Sequence, residues 1–370
     1  MRILFIDFNL PYLLADIEYP VGGWTVQLYS WINGLVAEGH QVGVLTWKGA
    51  NKFVKKSLDF ELIETVHKNK GIKIIKYFYL HIPTYLKKTN QFSPDVIIQA
   101  CAGLNTGIMS FIAKNLNVPF LYRVANDIDT DYRINVHLTK YQLLAYKFGL
   151  QNSSAIICQN NYQYNQLLKK YPNKILDILF NPFYLNKNIL SEQFKKRNYI
   201  AWIGVFQKQK NLPLLFDIAK SISSVKFKIA GIASKTVDAE TNQALSNLMK
   251  LKNVEFVGYL SRKEVIRFLS KSIALLNTSH YEGFSNTFLE AFSVGTPVIV
   301  NRHSDPNHII KEHSLGYSVE KKEEFIELIK SMLHDEDRFK QMSEDCMEYV
   351  QVKHDPQVLA SRLIDIVKEL

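Results

Sequence analysis

Cysteine is scarce in this chain of 370 residues, which carries only Cys101, Cys158 and Cys346. Their number is odd and no two share a metal-ligand spacing. That argues against a disulfide framework or a structural zinc site, and for a reducing, cytoplasmic setting. No apolar run approaches the ~20 residues needed to span a bilayer. The opening MRILFIDFNLPYLL is interrupted by Asp7 and Pro11, which predicts a buried first strand rather than a secretory signal. There is no repeat at a solenoid period and no low-complexity tract. No RNA- or DNA-binding signature accompanies the basic charge, so nucleic acid is set aside as a partner.

What is present is the composition of a globular protein, 47% hydrophobic and 22% charged, at a length that suggests two domains. The formal net charge of +10 is uneven. Residues 1–182 hold 19 Lys and Arg against 12 Asp and Glu, whereas 183–370 hold 26 against 23. A basic first half suits a phosphorylated substrate or an anionic lipid surface.

Strand-like apolar runs alternate with helical periods along the whole chain. The first series is RILFID (2–7), QVGVLT (41–46), IKII (72–75), DVIIQA (95–100), PFLYRV (119–124) and AIIC (155–158). The second is YIAWIG (199–204), KFKIAG (226–231), VEFVG (254–258), IALLNT (273–278) and PVIV (297–300). Helical patterns such as TVQLYSWINGLVAEG (25–39) and PLLFDIAKSI (213–222) lie between them. This alternation predicts parallel sheets in α/β layers. The series breaks once, in the polar, basic stretch 179–198. The expected organisation is a first Rossmann-like domain at 1–182 and a second at 183–355. A terminal amphipathic helix at 356–370 packs back on the first, and ligands bind in the cleft between the domains.

The stretch SHYEGFSNTFLEAFSVGTPVIV (279–300) holds two glutamates, Glu282 and Glu290, eight positions apart. The spacing predicts a strand ending near residue 278, a loop at its carboxyl end, and a helix from about Asn286. Gly283 permits close backbone approach beside Phe284, while Ser285, Asn286 and Thr287 supply hydroxyls and unpaired helix N–H groups suited to phosphate. Glu290 lies about one turn inside the helix, among the apolar neighbours of FLEAF, where a solvated carboxylate is not expected. It is suited to accept hydrogen bonds from a ribose diol, as Glu282 is from a sugar.

On these residues the sequence resembles a retaining glycosyltransferase of the GT-B fold, the family 4-like, group 1 type with an E-x7-E motif, here EGFSNTFLE. The resemblance covers nearly the whole chain. It implies that Glu282 contacts the donor sugar near the reacting centre and that Glu290 binds the ribose. PVGGW (20–24) corresponds to a glycine pair lying against the donor phosphates, so Gly22 and Gly23 carry over. WIGVFQKQKN (202–211) is similar to the family's G-R-L-x3-K-G pattern, which places Gly204 in the loop and Lys210 on the diphosphate. Val205 stands where the family has arginine and Asn211 where it has glycine; Lys208 and Arg302 are the candidates to substitute for that arginine, and Lys208 fits a solvated loop lysine better. NVEFVGYLS (253–261) resembles the loop whose main chain embraces the nucleobase, from Val257 through Gly258 and Tyr259 to Leu260. LYRVANDIDTDY (121–132) is where many relatives carry an acceptor-side histidine. Ala125 replaces it, and Asn126, Asp127 and Asp129 are the acceptor-side candidates, weighed against a solvated acidic turn.

The resemblance implies an enzyme, hexosyltransferase-like, that transfers a sugar with retention from a nucleotide-diphosphate sugar to an acceptor hydroxyl in bacterial surface polysaccharide or glycolipid synthesis. No cofactor and no metal are called for, and no side chain stands out as a covalent nucleophile. The alternatives are a nucleotide-sugar epimerase or hydrolase on the same fold, or a non-catalytic transferase partner. The partners expected are the nucleotide sugar and a glycan or lipid-linked acceptor. Lys68, Lys70, Lys73, Lys76, Lys87 and Lys88, interleaved with aromatics in 68–88, suit an anionic membrane surface, which would place the enzyme at the inner face of the membrane. The competing reading there is one buried strand, IKII, followed by an ordinary basic helix or loop.

Overall fold

The computed structural model describes residues 1–15, 21–67, 75–184, 197–234, 236–332 and 335–370. The chain divides into two units, Met1–Tyr184 with His354–Leu370, and Leu185–Lys353.

The first unit is built on strands β1 (Arg2–Ile6), β2 (Gln41–Thr46), β3 (Glu61–Glu64), β4 (Val96–Ala100), β5 (Phe120–Arg123), β6 (Ala155–Cys158) and β7 (Ile175–Ile178). They form one sheet in the order β3-β2-β1-β4-β5-β6-β7, with every pair parallel. Side chains of a strand alternate between faces, and here both faces are covered. Ile3 and Phe5 therefore enter a core with Leu28, Trp31 and Leu35 of the Gly23–Ala37 helix. Leu4 and Ile6 enter the opposite core, with Tyr85, Met109, Ile112 and Tyr146 from helices on the other side. The final helix, Pro356–Lys368, starts from a cap in which Asp355 accepts from the N–H groups of Gln357 and Val358. Its Leu359, Leu363 and Ile364 complete the first of these cores. The approach to the Gly23–Ala37 helix is close: a Cβ at Gly34 would lie 2.1 Å from the Pro356 carbonyl oxygen.

The second unit holds β8 (Tyr199–Ile203), β9 (Phe227–Ala230), β10 (Val254–Gly258), β11 (Ser272–Asn277), β12 (Val298–Asn301) and β13 (Gly316–Val319), again all parallel, in the order β10-β9-β8-β11-β12-β13. The strand order reverses between β8 and β11. The chain leaves β8 toward one edge and β11 toward the other, which makes their carboxyl ends the switch point where open α/β sheets bind ligands.

Ten of the eleven strands read from the sequence are present to within a residue or two. The exception is 72–75: residues 72–74 lie outside the described residues, and Ile75 is helical, leading into the π-helical turn Tyr77–His81. Three strands were not anticipated, β3, β7 and β13, and all lie at sheet edges. Edge strands bury less of themselves and so lack the continuous apolar signature: Glu61 opens β3, Asp177 interrupts β7, and β13 is the four-residue GYSV.

Candidate functional site

The loop after β8 and the loop after β11 meet because their strands are neighbours. Lys210 closes a short 3-10 turn, Lys208–Lys210, and Asn211 follows with φ 49° and ψ 59°, in the left-handed region. Asn tolerates that conformation better than any side chain apart from a few small polar ones, so Asn211 keeps a backbone geometry that glycine would otherwise supply. From that position it caps the Leu212–Ser221 helix, accepting from the Leu214 N–H at 3.4 Å.

The loop after β11 is fastened to this turn. The Trp202 indole N–H donates to the Thr278 hydroxyl at 3.1 Å, and that hydroxyl donates to the Lys210 carbonyl at 2.7 Å. The His280 N–H donates to the Gln209 carbonyl, and the Gln209 amide to the Tyr281 carbonyl, each at 2.9 Å. Ser304 clamps the other side by donating to the Ser279 carbonyl at 2.8 Å. Two loops tied at so many points present their side chains with little freedom.

The result is a contact between Lys210 Nζ and Glu282 Oε1 at 2.5 Å, with the side chains 16% and 10% exposed. The Ser279 hydroxyl donates to the same oxygen at 2.7 Å, and the Asn277 amide reaches it at 3.4 Å. All three go to Oε1, and among the described residues Oε2 receives none. Ser279 and Asn277 were not singled out from the sequence. Their signal is the polar run Asn277-Thr278-Ser279 that closes an otherwise apolar strand and stands just before the motif.

Beyond Glu282 the chain turns inward. Gly283, Phe284 and Ser285 are buried, and the Ser285 and Thr287 hydroxyls bond each other at 2.8 Å. The Asn286–Phe292 helix is seven residues long and buries Phe288, Leu289, Ala291 and Phe292. Glu290 lies among them, 8% exposed. Burial pushes its carboxyl up to about 7, opposed by the positive charge of Arg262. Among the described residues its carboxylate accepts no hydrogen bond. A buried carboxylate without a partner is unusual in a structural role and common where a ligand completes the bonding.

Gly204 packs against this site directly. A Cβ built on it would meet the Trp202 ring at 3.0 Å and the Lys210 stem at 3.4 Å. Behind it, Gly231 has φ +151°, and a Cβ there would lie 1.9 Å from the Gly204 carbonyl oxygen. Gly231→Ala is therefore expected to cost about 3 kcal/mol through backbone strain and forced displacement of the Lys210 loop. Chemical denaturation of the two proteins measures this directly, and an unchanged midpoint would contradict it. Gly258 ends β10, and its carbonyl accepts from the Gly231 N–H at 2.8 Å; Tyr259 and Leu260 follow it, exposed and half-buried. Lys208 shares the turn with Lys210, while Arg302 pairs with Glu320 at the surface.

The remaining sequence candidates belong to the first unit. Gly22 is exposed and caps the Gly23–Ala37 helix. Asn126, Asp127 and Asp129 lie at the end of β5 in a capped 3-10 turn. The Asp129 carboxylate accepts from the Ala125 and Asn126 N–H groups, both at 3.2 Å, and burial pushes it up to about 6. Asp127 accepts from the Asn160 and Gln163 side chains at 3.0 and 2.9 Å, and burial raises it too. Both acids are buried and bonded within their own unit, so neither is a solvated turn residue.

The Glu282–Lys210 pair and the buried Glu290 lie within residues 187–351, which match the family described as Glycosyl transferases group 1. An uncharacterized glycosyltransferase of Methanocaldococcus jannaschii is 28% identical over 330 residues, covering 86% of this chain and 88% of that one. The capsular polysaccharide biosynthesis glycosyltransferase CapM of Staphylococcus aureus is 24% identical over 195 residues, spanning 50% of this chain and 51% of CapM. Anabaena HepE, solved in complex with UDP-glucose, has a TM-score of 0.73 at 12% identity over 100% of both chains. The architecture of two parallel-sheet Rossmann-like units is that of the GT-B fold.

Proposed function

We propose that this glycosyltransferase moves a sugar, with retention, from a nucleotide-diphosphate sugar to the hydroxyl of a glycan or lipid-linked acceptor in surface polysaccharide assembly. The observation that carries the proposal is the pairing of a held carboxylate and a cation, Glu282 and Lys210, with the buried Glu290 eight positions along the chain, whose carboxylate accepts no hydrogen bond among the described residues. A nucleotide sugar offers a complement to each: hydroxyls for Glu282, a diphosphate for Lys210 and a ribose diol for Glu290. The name of the CapM relative and the UDP-glucose in the HepE structure support the substrate class.

In this reading the bond from the anomeric carbon to the diphosphate breaks as the acceptor oxygen bonds the same face. The leaving phosphate takes the acceptor's proton. Lys210 stabilises the charge that develops on the diphosphate, and neither a metal ion nor a covalent intermediate takes part. Preorganised charge of this kind is worth the most where water is excluded. Glu282 Oε2, the oxygen left without a partner by the loop, orients the sugar; Oε1 stays bonded to Ser279 while Lys210 turns to the phosphate.

A thermal-shift screen of UDP-, GDP-, ADP- and dTDP-sugars against wild type and Glu290→Ala tests the donor site. A ligand at about 100 times its dissociation constant stabilises by ~2.7 kcal/mol. Stabilisation of the wild type by one nucleotide sugar, lost in the variant, is the expected result. No stabilisation by any nucleotide sugar would contradict the reading.

A further inference from the structure

The layer of helices that covers one face of the first sheet has its polarity reversed on the outside. The helix Lys140–Asn152 buries Tyr146 and Leu150 against the sheet. Its opposite side carries Tyr141, Leu144 and Phe148, at helical spacing i, i+3 and i+7 on one face. All three are exposed, Leu144 at 69%. Just before the helix, Tyr132 and Val136 are exposed at 80% and 87%. The neighbouring Leu104–Leu116 helix, packed against it, exposes Phe111. Next in the layer, the segment leading into the Ile82–Phe92 helix exposes Ile75, Phe78 and Tyr79. Single exposed apolar residues are ordinary; a series along adjacent helices marks a surface that something covers.

The charge of this surface has one sign. No Asp or Glu occurs in 75–92, 104–116 or 132–152. Lys87, Lys114, Lys140 and Lys147 are exposed on the same helices as the apolar residues. On the Lys140–Asn152 helix, Lys140 and Lys147 flank the apolar strip on one side, within a third of a turn of Leu144.

We infer that the outward face of this layer, centred on Tyr141, Leu144 and Phe148 with Lys140 and Lys147, rests on an anionic lipid bilayer. Aromatic rings suit the headgroup level, and lysines beside them meet acidic headgroups. A second copy of the chain is the poorer fit, because a self-complementary contact through this face would bring lysine to lysine with no acid on the helices to neutralise it. This surface extends the basic 68–88 stretch to two further helices; Lys68, Lys70 and Lys73 of that stretch lie outside the described residues. It does not depend on which sugar is transferred.

The test is co-sedimentation of the full chain with vesicles of phosphatidylcholine alone and of phosphatidylcholine mixed with phosphatidylglycerol. Lys140→Glu with Lys147→Glu, and separately Leu144→Ser with Phe148→Ser, should each weaken binding to the mixed vesicles about tenfold or more. The exposed pair Lys330→Glu with Lys340→Glu, in the second unit, should leave it unchanged. Circular dichroism checks that each variant is folded, which exposed positions should permit. Binding that is absent, equal on the neutral vesicles, or insensitive to both substitutions at 140–148 overturns the inference. So does loss of binding only in Lys87→Glu with Lys88→Glu, which would move the contact to the neighbouring helix. Self-association abolished by Leu144→Ser with Phe148→Ser, without vesicle binding, overturns it in favour of a copy–copy interface.

Discussion

Glu282→Gln is expected to lower kcat by roughly 10²- to 10³-fold while the fold stays intact. The two halves of that expectation have separate causes. Gln retains an oxygen where Glu282 Oε1 lies, so the Ser279 hydroxyl, the Asn277 amide and the Lys210 ammonium keep an acceptor. The loop clasps run through Thr278, Gln209 and Ser304 and do not involve Glu282 at all. What is lost is the negative charge beside the sugar and the second accepting oxygen. Because the site is largely withdrawn from water, a charge lost there is not replaced by solvent. The initial rate of donor consumption, with circular dichroism as the folding control, measures this. Turnover equal to wild type would place Glu282 outside the chemistry.

Glu290→Gln should do two opposite things. In the unfolded chain a glutamate ionises near 4.3, whereas burial holds Glu290 up to about 7. The folded state therefore keeps its proton over that interval when the unfolded state has lost it. Stability falls as pH rises through the window, by an amount on the order of 4 kcal/mol at most. Gln carries no such charge, so the variant should be about 1–3 kcal/mol more stable than wild type near pH 8 and hardly different near pH 4. Denaturant titrations at the two pH values give both figures. The same substitution should weaken nucleotide binding by roughly 10- to 100-fold, since hydrogen bonds to a charged acceptor contribute about 1.5–3 kcal/mol. A residue that destabilises the free protein and strengthens binding is placed for its ligand. A variant less stable than wild type at pH 8 would assign Glu290 a structural role instead.

Much of the candidate site was legible because its parts are local. Glu282, Gly283 and Glu290 lie within nine residues of sequence, and a carboxylate inside FLEAF conflicts with its apolar neighbours unless a ligand explains it. The central strands were legible because burial on both faces makes them continuously apolar. Pairing across distance was not legible. That Lys210 meets Glu282, 72 positions later, follows from β8 and β11 being adjacent, which is a property of the sheet order. The edge strands β3, β7 and β13 escaped for the converse reason, too little burial to leave a pattern. From its sequence DID at 127–129 fits an acceptor-side role and a solvated acidic turn equally. Its burial depends on Asn160 and Gln163, more than thirty residues away, which turn their amides toward Asp127. The outward apolar strip of Lys140–Asn152 is likewise invisible as such, since a helical period does not say which face meets the sheet.

In the proposed function Glu282 and Glu290 hold opposite ends of one donor molecule. Isothermal titration of the stabilising nucleotide sugar and of its free nucleoside diphosphate, against wild type, Glu282→Gln and Glu290→Gln, tests it most directly. Glu290→Gln is expected to weaken both ligands equally, because both carry the ribose, and Glu282→Gln to weaken the nucleotide sugar alone. Equal weakening of both ligands by Glu282→Gln, or an effect of Glu290→Gln confined to the nucleotide sugar, would contradict it.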